Sequence, residues 1–329
     1  MMCRKCIIST NLICWLSLLL QGLEIQGNLE SRIINGQEVK WNSTRYQVSI
    51  RLEDIDRYFF GVGHLCGGSI ISRNAILTSA HCIWNANSNS FYPASKFSVV
   101  MGNLDRSLND GNSLKLGVSK IITGTHFNYG TFQDDVAVMF LNQSIPTNFT
   151  RAEVIEINEN MNLTNTKTCI VTGWGLTEKN TYTRKLMFVE VPIVNRANCS
   201  LNYGPETILD GMLCAGYMKG EFDACSGDSG GPLVCDNKLV GIVSFGLGCA
   251  IPGYPGVYTN AAYYYDWIYK QAGLTTKSNE LSIDSIDSFD YLIINTTSTV
   301  DSSTAKILYS NFIIICLVCV NLIKYKCLL

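Results

Sequence analysis

An all-β chain built as an antiparallel barrel is the fold that the sequence predicts for most of its length. Three observations carry that expectation. Short runs of β-branched and aromatic residues recur between turn signals, at Tyr46–Leu52, Gly68–Ile71, Ile76–Ser79, Phe97–Met101 and Val136–Leu141. No long amphipathic helix interrupts them. The eight cysteines from Cys66 to Cys249 form an even set with none left over, and spacing alone leaves about a hundred pairings open.

Length and charge narrow the class. With 329 residues the chain is too long for one small barrel and suits two modest domains or one double domain. A net charge of −2, with 16% charged residues, leaves no footprint for nucleic acid. Fourteen cysteines would be many for a cytosolic protein and point to an oxidising compartment.

Residues 1–22 begin with Arg4 and Lys5 and continue as an apolar run from Ile7 to Leu20, broken by Ser9, Thr10, Asn11 and Ser17. This reads as a secretory signal cut near Gly22 or Gly27, in preference to a signal anchor left in place. Cys3, Cys6 and Cys14 would leave with it. Residues 23–32 are short and polar and end in Arg32, followed by Ile33-Ile34-Asn35-Gly36.

The stretch Asp223-Ala224-Cys225-Ser226-Gly227-Asp228-Ser229-Gly230-Gly231-Pro232 is almost free of bulky side chains. A nucleophile loop needs that. Small neighbours admit a substrate carbonyl, and glycines let backbone N–H groups turn where a side chain would clash. The amides of Gly227 and Ser229 are candidates to hold an oxyanion. A lone Gly-x-Ser-x-Gly is as often an incidental turn, but the ten-residue block is far more specific. It resembles the nucleophile loop of the trypsin/chymotrypsin family of serine endopeptidases, whose Gly-Asp-Ser-Gly-Gly-Pro stands here unaltered.

The resemblance demands a histidine and then an aspartate upstream of Ser229. Leu77-Thr78-Ser79-Ala80-His81-Cys82 follows an apolar strand and resembles the family's Ala-His-Cys block, with Ser79 for the more usual alanine. A lone histidine is usually structural, as His64 and His126 illustrate; His81 differs by this context. Asp134-Asp135-Val136-Ala137-Val138 resembles the family's aspartate before an aliphatic-Ala-aliphatic strand. Asp135 is the match, and Asp134 is expected to be a solvated neighbour. His64 stands where some relatives keep a histidine that holds the aspartate before the serine in the uncut precursor. Cys169–Gly175 is a further family block.

The resemblance spans residues 33–273 and implies two packed antiparallel six-stranded β-barrels with a C-terminal helix. The barrels are expected at about 33–150 and 151–258, and the helix at 261–271, where Tyr264, Trp267 and Ile268 recur at helical spacing ahead of Gly273. These aromatics are expected in the core. The family pairing implies the disulfides Cys66–Cys82, Cys169–Cys235, Cys199–Cys214 and Cys225–Cys249.

Function is implied in the same way. His81 would act as general base, Asp135 would orient it, and Ser229 would form an acyl-enzyme. Cleavage after Arg32 would free the Ile33 amine to pair with buried Asp228 and set the Gly227 amide. Ile34-Asn35 departs from the family's more usual Val-Gly. Residues 23–32 hold no cysteine, so the freed pro-segment would diffuse away. Asp223 falls where the family places the pocket floor, and with Ser244, Gly246 and Gly256 it implies a pocket for arginine or lysine. Phe245 replaces the usual tryptophan beside it. Implied partners are protein or peptide substrates with Arg or Lys before the scissile bond, an activating protease or self-activation, and protein inhibitors. No cofactor is expected. The loop Asn103–Ser113, where some relatives bind calcium, offers Asn103 and Asn109 rather than glutamates, so no metal is expected.

After Gly273 the composition turns to Ser, Thr, Asn and Asp, a polar stem over 274–306. Residues 307–323 are mostly apolar, at the short limit for a membrane span, and Lys324 and Lys326 suit a cytoplasmic end. The alternative is a removable lipid-anchor signal with Ser302-Ser303-Thr304 ahead of it. Either places the protein at the cell surface; the remaining alternative is secretion. Sequons at Asn42, Asn142, Asn148, Asn162 and Asn295 fit a secretory route, and a sixth at Asn198 encloses Cys199. The competing functional class is a catalytically silent binding protein on the same fold. Silent relatives usually lose a member of the Ser-His-Asp set, and this chain retains all of it.

Overall fold

A computed structural model describes residues 36–163, 167–176, 181–220 and 223–275. The chain divides after Ala272 into two units. The first unit holds all the secondary structure among the described residues. It begins with β1 (Gln37–Glu38) and β2 (Gln47–Leu52), then α1 (Glu53–Asp56), β3 (His64–Ile70) and β4 (Ala75–Thr78). Next come β5 (Trp84–Asn85), β6 (Ser90–Phe91), β7 (Phe97–Met101), β8 (Leu114–Thr123) and β9 (Ala137–Leu141). The second half holds β10 (Glu156–Ile157), β11 (Thr168–Gly173), β12 (Met187–Val194), α2 (Arg196–Tyr203) and β13 (Met212–Ala215). It ends with β14 (Pro232–Cys235), β15 (Lys238–Phe245), β16 (Gly256–Asn260) and α3 (Tyr265–Ala272).

Two closed antiparallel barrels result, as expected. The first runs β2-β3-β4-β9-β8-β7. The second runs β12-β11-β14-β15-β16-β13 and closes where β13 pairs β12. Closure leaves no free edge within either ring. The short β1 precedes the first barrel in sequence yet pairs β12 of the second, and β10 adds to β15 in parallel.

The side-chain period of two explains why these strands roll up. In β12 the residues Met187, Val189, Val191 and Ile193 are buried while Glu190 is exposed. The first core gathers Val48, Ile50, Ile76, Val99 and Met139; the second gathers Val171, Val191, Leu233, Val240 and Tyr258. Each such side chain is worth about 1.5–3 kcal/mol of burial.

The barrels meet where glycine is obligatory. Gly230 has φ +74°, and a Cβ there would lie 2.1 Å from Thr78 Oγ1. The Gly67 amide of β3 donates to the Ser229 carbonyl at 2.8 Å, and Thr78 Oγ1 donates to the Gly67 carbonyl at 2.9 Å. The residues around Ser229 are thereby sealed against the first barrel.

The terminal helix begins four residues later than expected. Asn260 Oδ1 accepts from the amides of Ala262 and Tyr263 at 3.1 and 3.4 Å, which holds residues 261–264 in turns before α3 starts. The two aromatics expected in the core, Tyr264 and Trp267, are only half-buried, whereas Ile268 beside them is buried. Tyr264 instead donates its hydroxyl to Asp134 Oδ1 at 2.8 Å.

Candidate active site

His81 lies in a single 3₁₀ turn, Ala80–Ile83, that follows β4. Two bonds orient it. Its amide donates to Asp135 Oδ1 at 2.8 Å, and its Nδ1 donates to Asp135 Oδ2 at 2.7 Å. With Nδ1–H spent on the carboxylate, the neutral ring presents Nε2 as an acceptor. Asp135 stands just before β9 with its side chain fully buried. Ser244 Oγ donates to Asp135 Oδ2 at 2.5 Å, and Thr259 Oγ1 donates to the Asp135 carbonyl at 2.6 Å. Both serving residues come from the second barrel, so a buried carboxylate of the first barrel is satisfied across the seam.

Ser229 shares one cavity with His81, and the volume of that cavity is 340 Å³. The turn carrying Ser229 is held from several sides. Leu176 N donates to the Ser226 carbonyl, and Gly230 N donates to the Val243 carbonyl, both at 2.8 Å. Gly227 has φ +98°, which a side chain at this position rarely adopts. Asp228 is fully buried, and its two oxygens accept from Gly175 N and Cys225 N, each at 2.8 Å. Burial pushes its carboxyl up to about 6. Gly173 and Gly175 make room for it, since a Cβ on Gly173 would lie 1.9 Å from Asp228 Oδ1.

Asp223 lines the same cavity and is buried, 3% exposed. Its Oδ2 accepts from Ala250 N at 3.0 Å, whereas Oδ1 has no partner among the described residues. Burial pushes this carboxyl up to about 7. Gly256 lies directly over it, where a Cβ would come within 3.0 Å of Oδ1. Gly246 and Ser244 line the same space. Aromatic rings bound its other side. Phe132 meets His81 edge-on at 5.6 Å and lies tilted against Phe245 at 5.0 Å, and Tyr129 and Trp84 continue the row.

The four implied disulfides are all formed: Cys66–Cys82, Cys169–Cys235, Cys199–Cys214 and Cys225–Cys249. The first pins the turn of His81 to β3, and the last ties the Ser229 loop to the cavity wall.

Comparison with known proteins decides the family. The family model described as trypsin matches residues 33–268. Trypsin eta of Drosophila melanogaster is 39% identical over 249 residues, which cover 75% of this chain and 91% of the relative. Trypsin-1 of Astacus astacus is 38% identical over 242 residues, covering 72% and 98%. Trypsin I-P1 of Gallus gallus is 33% identical over 241 residues, covering 73% and 88%. The chain belongs to the trypsin family. It is a serine endopeptidase.

Within this trypsin-family site the structure adds to the sequence reading in three places. Ser244 was expected at the substrate pocket; it does line the cavity, but its hydroxyl is spent on Asp135. Asp134 was expected to be solvated, yet its side chain is 17% exposed and is held by Tyr264 and by His126 N at 3.1 Å. His64 does not hold Asp228. Its Nε2 donates to the Gly227 carbonyl at 3.2 Å.

Asn42, Asn142, Asn148 and Asn162 are all exposed, as is Asn198. Arg32, Ile33, Asn295, the stem and the apolar segment at 307–323 lie outside the described residues. Among the described residues no helix is long and apolar enough to cross a membrane. Cys66, His81 and Cys82 stand close enough together to suggest a metal site, but both sulfurs are committed to one disulfide.

Proposed function

We propose that this endopeptidase cleaves after arginine or lysine, through Ser229, His81 and Asp135, and that cutting after Arg32 activates it. The observation that carries the specificity is the unpaired Oδ1 of Asp223 at the cavity, beneath Gly256. A dry carboxylate oxygen without a donor is costly, and a guanidinium or ammonium on a long apolar stem relieves that cost.

The chemistry follows from the atoms at hand. Ser229 Oγ attacks the scissile carbonyl while His81 Nε2 takes its proton. Asp135 stabilises the imidazolium through Nδ1–H. The amides of Gly227 and Ser229 donate to the developing oxyanion. His81 returns the proton to the leaving amine, and water then releases the acyl group by the same steps in reverse. The row from Phe132 to Trp84 offers apolar contact to substrate residues before the cleaved bond.

Asp228 supports the activation step. It is an acid above its ordinary range, satisfied by amides but by no cation among the described residues. The Ile33 ammonium would supply the charge. Because Arg32 is itself a fitting substrate residue, self-activation is part of the reading. We further propose secretion with retention at the cell surface through residues 307–323, and sugar at the exposed sequons.

One experiment tests the core of this reading. Cells expressing the full chain are labelled with a serine-directed fluorophosphonate, and peptides ending in Arg, Lys or Phe are offered. Labelling is expected only after cleavage at Arg32 and only with Ser229 present. Ser229→Ala and Arg32→Gln proteins should stay unlabelled, and the signal should remain on cells rather than in medium. A labelled Arg32→Gln protein overturns the activation step, and equal turnover of Phe and Arg peptides overturns the specificity.

A further inference from the structure

The Gly227 amide can serve an oxyanion only if both peptide planes beside it are held. The plane before it is fixed by Leu176 N on the Ser226 carbonyl. A trans peptide then aims the Gly227 N–H the opposite way. The plane after it is fixed by His64 Nε2 on the Gly227 carbonyl. A carbonyl oxygen cannot donate, so His64 carries its proton on Nε2 and its Nδ1 must accept. Ser49 Oγ stands 2.8 Å from Nδ1 and is that donor. Having given its only proton, Ser49 Oγ accepts from Arg51 Nε at 3.0 Å. Guanidinium N–H groups donate and never accept, so every bond in the row has one possible direction.

Arg51 itself is locked. It is 1% exposed, near the end of β2 opposite His64. Its Nη1 donates to both oxygens of Asp56 in α1, at 3.2 and 3.4 Å, and its Nη2 donates to the Arg106 carbonyl at 2.7 Å. The Phe60 ring covers the guanidinium face at 4.3 Å. Asp56 is held in turn by Lys115 Nζ at 2.9 Å and Gly61 N at 2.8 Å. A buried cation fully engaged by fixed partners cannot rotate away. Burial pulls His64 down to about 3, and the Arg106 and Arg51 charges push the same way, so the ring keeps one neutral tautomer.

We propose that Arg51 is a positioning residue for the oxyanion site, acting through Ser49 and His64 on the peptide of Gly227. Its buried charge sets the direction of the hydrogen-bonded row, and the row holds Gly227 ready before substrate arrives. The inference rests on the proposed role of the Gly227 amide.

The test uses the activated full-length enzyme with Ser49→Ala, Arg51→Gln and the double variant. Three ligands separate the effects. An arginine peptide amide reports kcat and KM. An arginine peptide aldehyde forms a hemiacetal on Ser229 and needs the oxyanion site. Benzamidine needs only the Asp223 pocket. Each single variant should lose about tenfold or more in kcat and in aldehyde affinity, with KM and benzamidine affinity unchanged. The double variant should be no worse than the weaker single, because both cut one row. Arg51→Gln leaves buried Asp56 with Lys115 and the Gly61 amide but without its buried cation; if that protein does not fold, Ser49→Ala decides alone. The inference is overturned if Ser49→Ala or a folded Arg51→Gln enzyme keeps kcat and aldehyde affinity within twofold, or if benzamidine affinity falls in step with them. An unaltered enzyme that neither cleaves the amide nor binds the aldehyde would overturn the proposed function instead.

Discussion

Five residues apart, Asp223 and Asp228 are both buried carboxylates raised above their ordinary range, yet they are finished differently. Asp228 has an amide on each oxygen. Asp223 has an amide on one oxygen and nothing described on the other. The first belongs to the protein's own architecture and the second is left open toward a cavity. Burial alone therefore does not distinguish the two; the proposed ligand site rests on an oxygen without a donor at the wall of a cavity. The difference predicts that damage at one end of the loop harms selectivity, and at the other end harms chemistry.

The largest expected effect is at the open end. Asp223→Ser should lower turnover of Arg and Lys peptides by a hundred- to several-thousand-fold, from the loss of about 3–5 kcal/mol of paired charge. Fluorophosphonate labelling of Ser229 should keep its rate. Unchanged selectivity in steady-state assays would mean that Asp223 does not meet substrate. Asp228→Asn should do the reverse. An amide nitrogen would face a backbone N–H, loosening the turn, and turnover should fall about a hundred- to a thousandfold for Arg and Phe peptides alike. The labelling rate should fall too, with the Arg/Phe ratio kept. A changed ratio would break the contrast between the two ends.

The smallest effect is a pH dependence of binding. Asp223 is raised to about 7 in the free pocket, so below that pH its carboxyl is protonated until a cation displaces the proton. Benzamidine affinity should be flat above about pH 7 and fall toward tenfold per unit below it, with proton release on binding. Titration calorimetry in two buffers reads both. Flat affinity down to pH 5 would mean that the empty pocket already holds an ionised carboxylate.

The parts of this site legible in sequence are those whose chemistry forces neighbours in the chain. A nucleophile turn needs small residues on both sides of Ser229, and a strand-end histidine needs its bridging cysteine next door. The strands of the first barrel were legible because short β-branched and aromatic runs stand between turn signals, as in Phe97–Met101, where every residue is buried. Helix α2 was not foreseen, since its one buried residue, Cys199, gives no apolar stripe. A signal was present: Asn195 caps it by accepting from Asn198 N at 2.7 Å. The row from Arg51 to Gly227 was invisible for another reason. It joins β2, β3 and the Ser229 loop, and its last bond spans 163 residues. Asp134 was misjudged because its partner hydroxyl lies on Tyr264, far along the chain.

One feature of the seam bears on how such a molecule is made. Among the described residues, each of the four disulfides lies within one half and none joins the two barrels. The first barrel brings His81 and Asp135, and the second brings Ser229, with Ser244 and Thr259 completing Asp135. As synthesis proceeds the early half emerges without its serine, and the late half carries neither His81 nor Asp135. Neither half is a protease on the way. Only when Gly230 has settled against Thr78 do His81 and Ser229 line one cavity, so an unfinished chain holds no complete site.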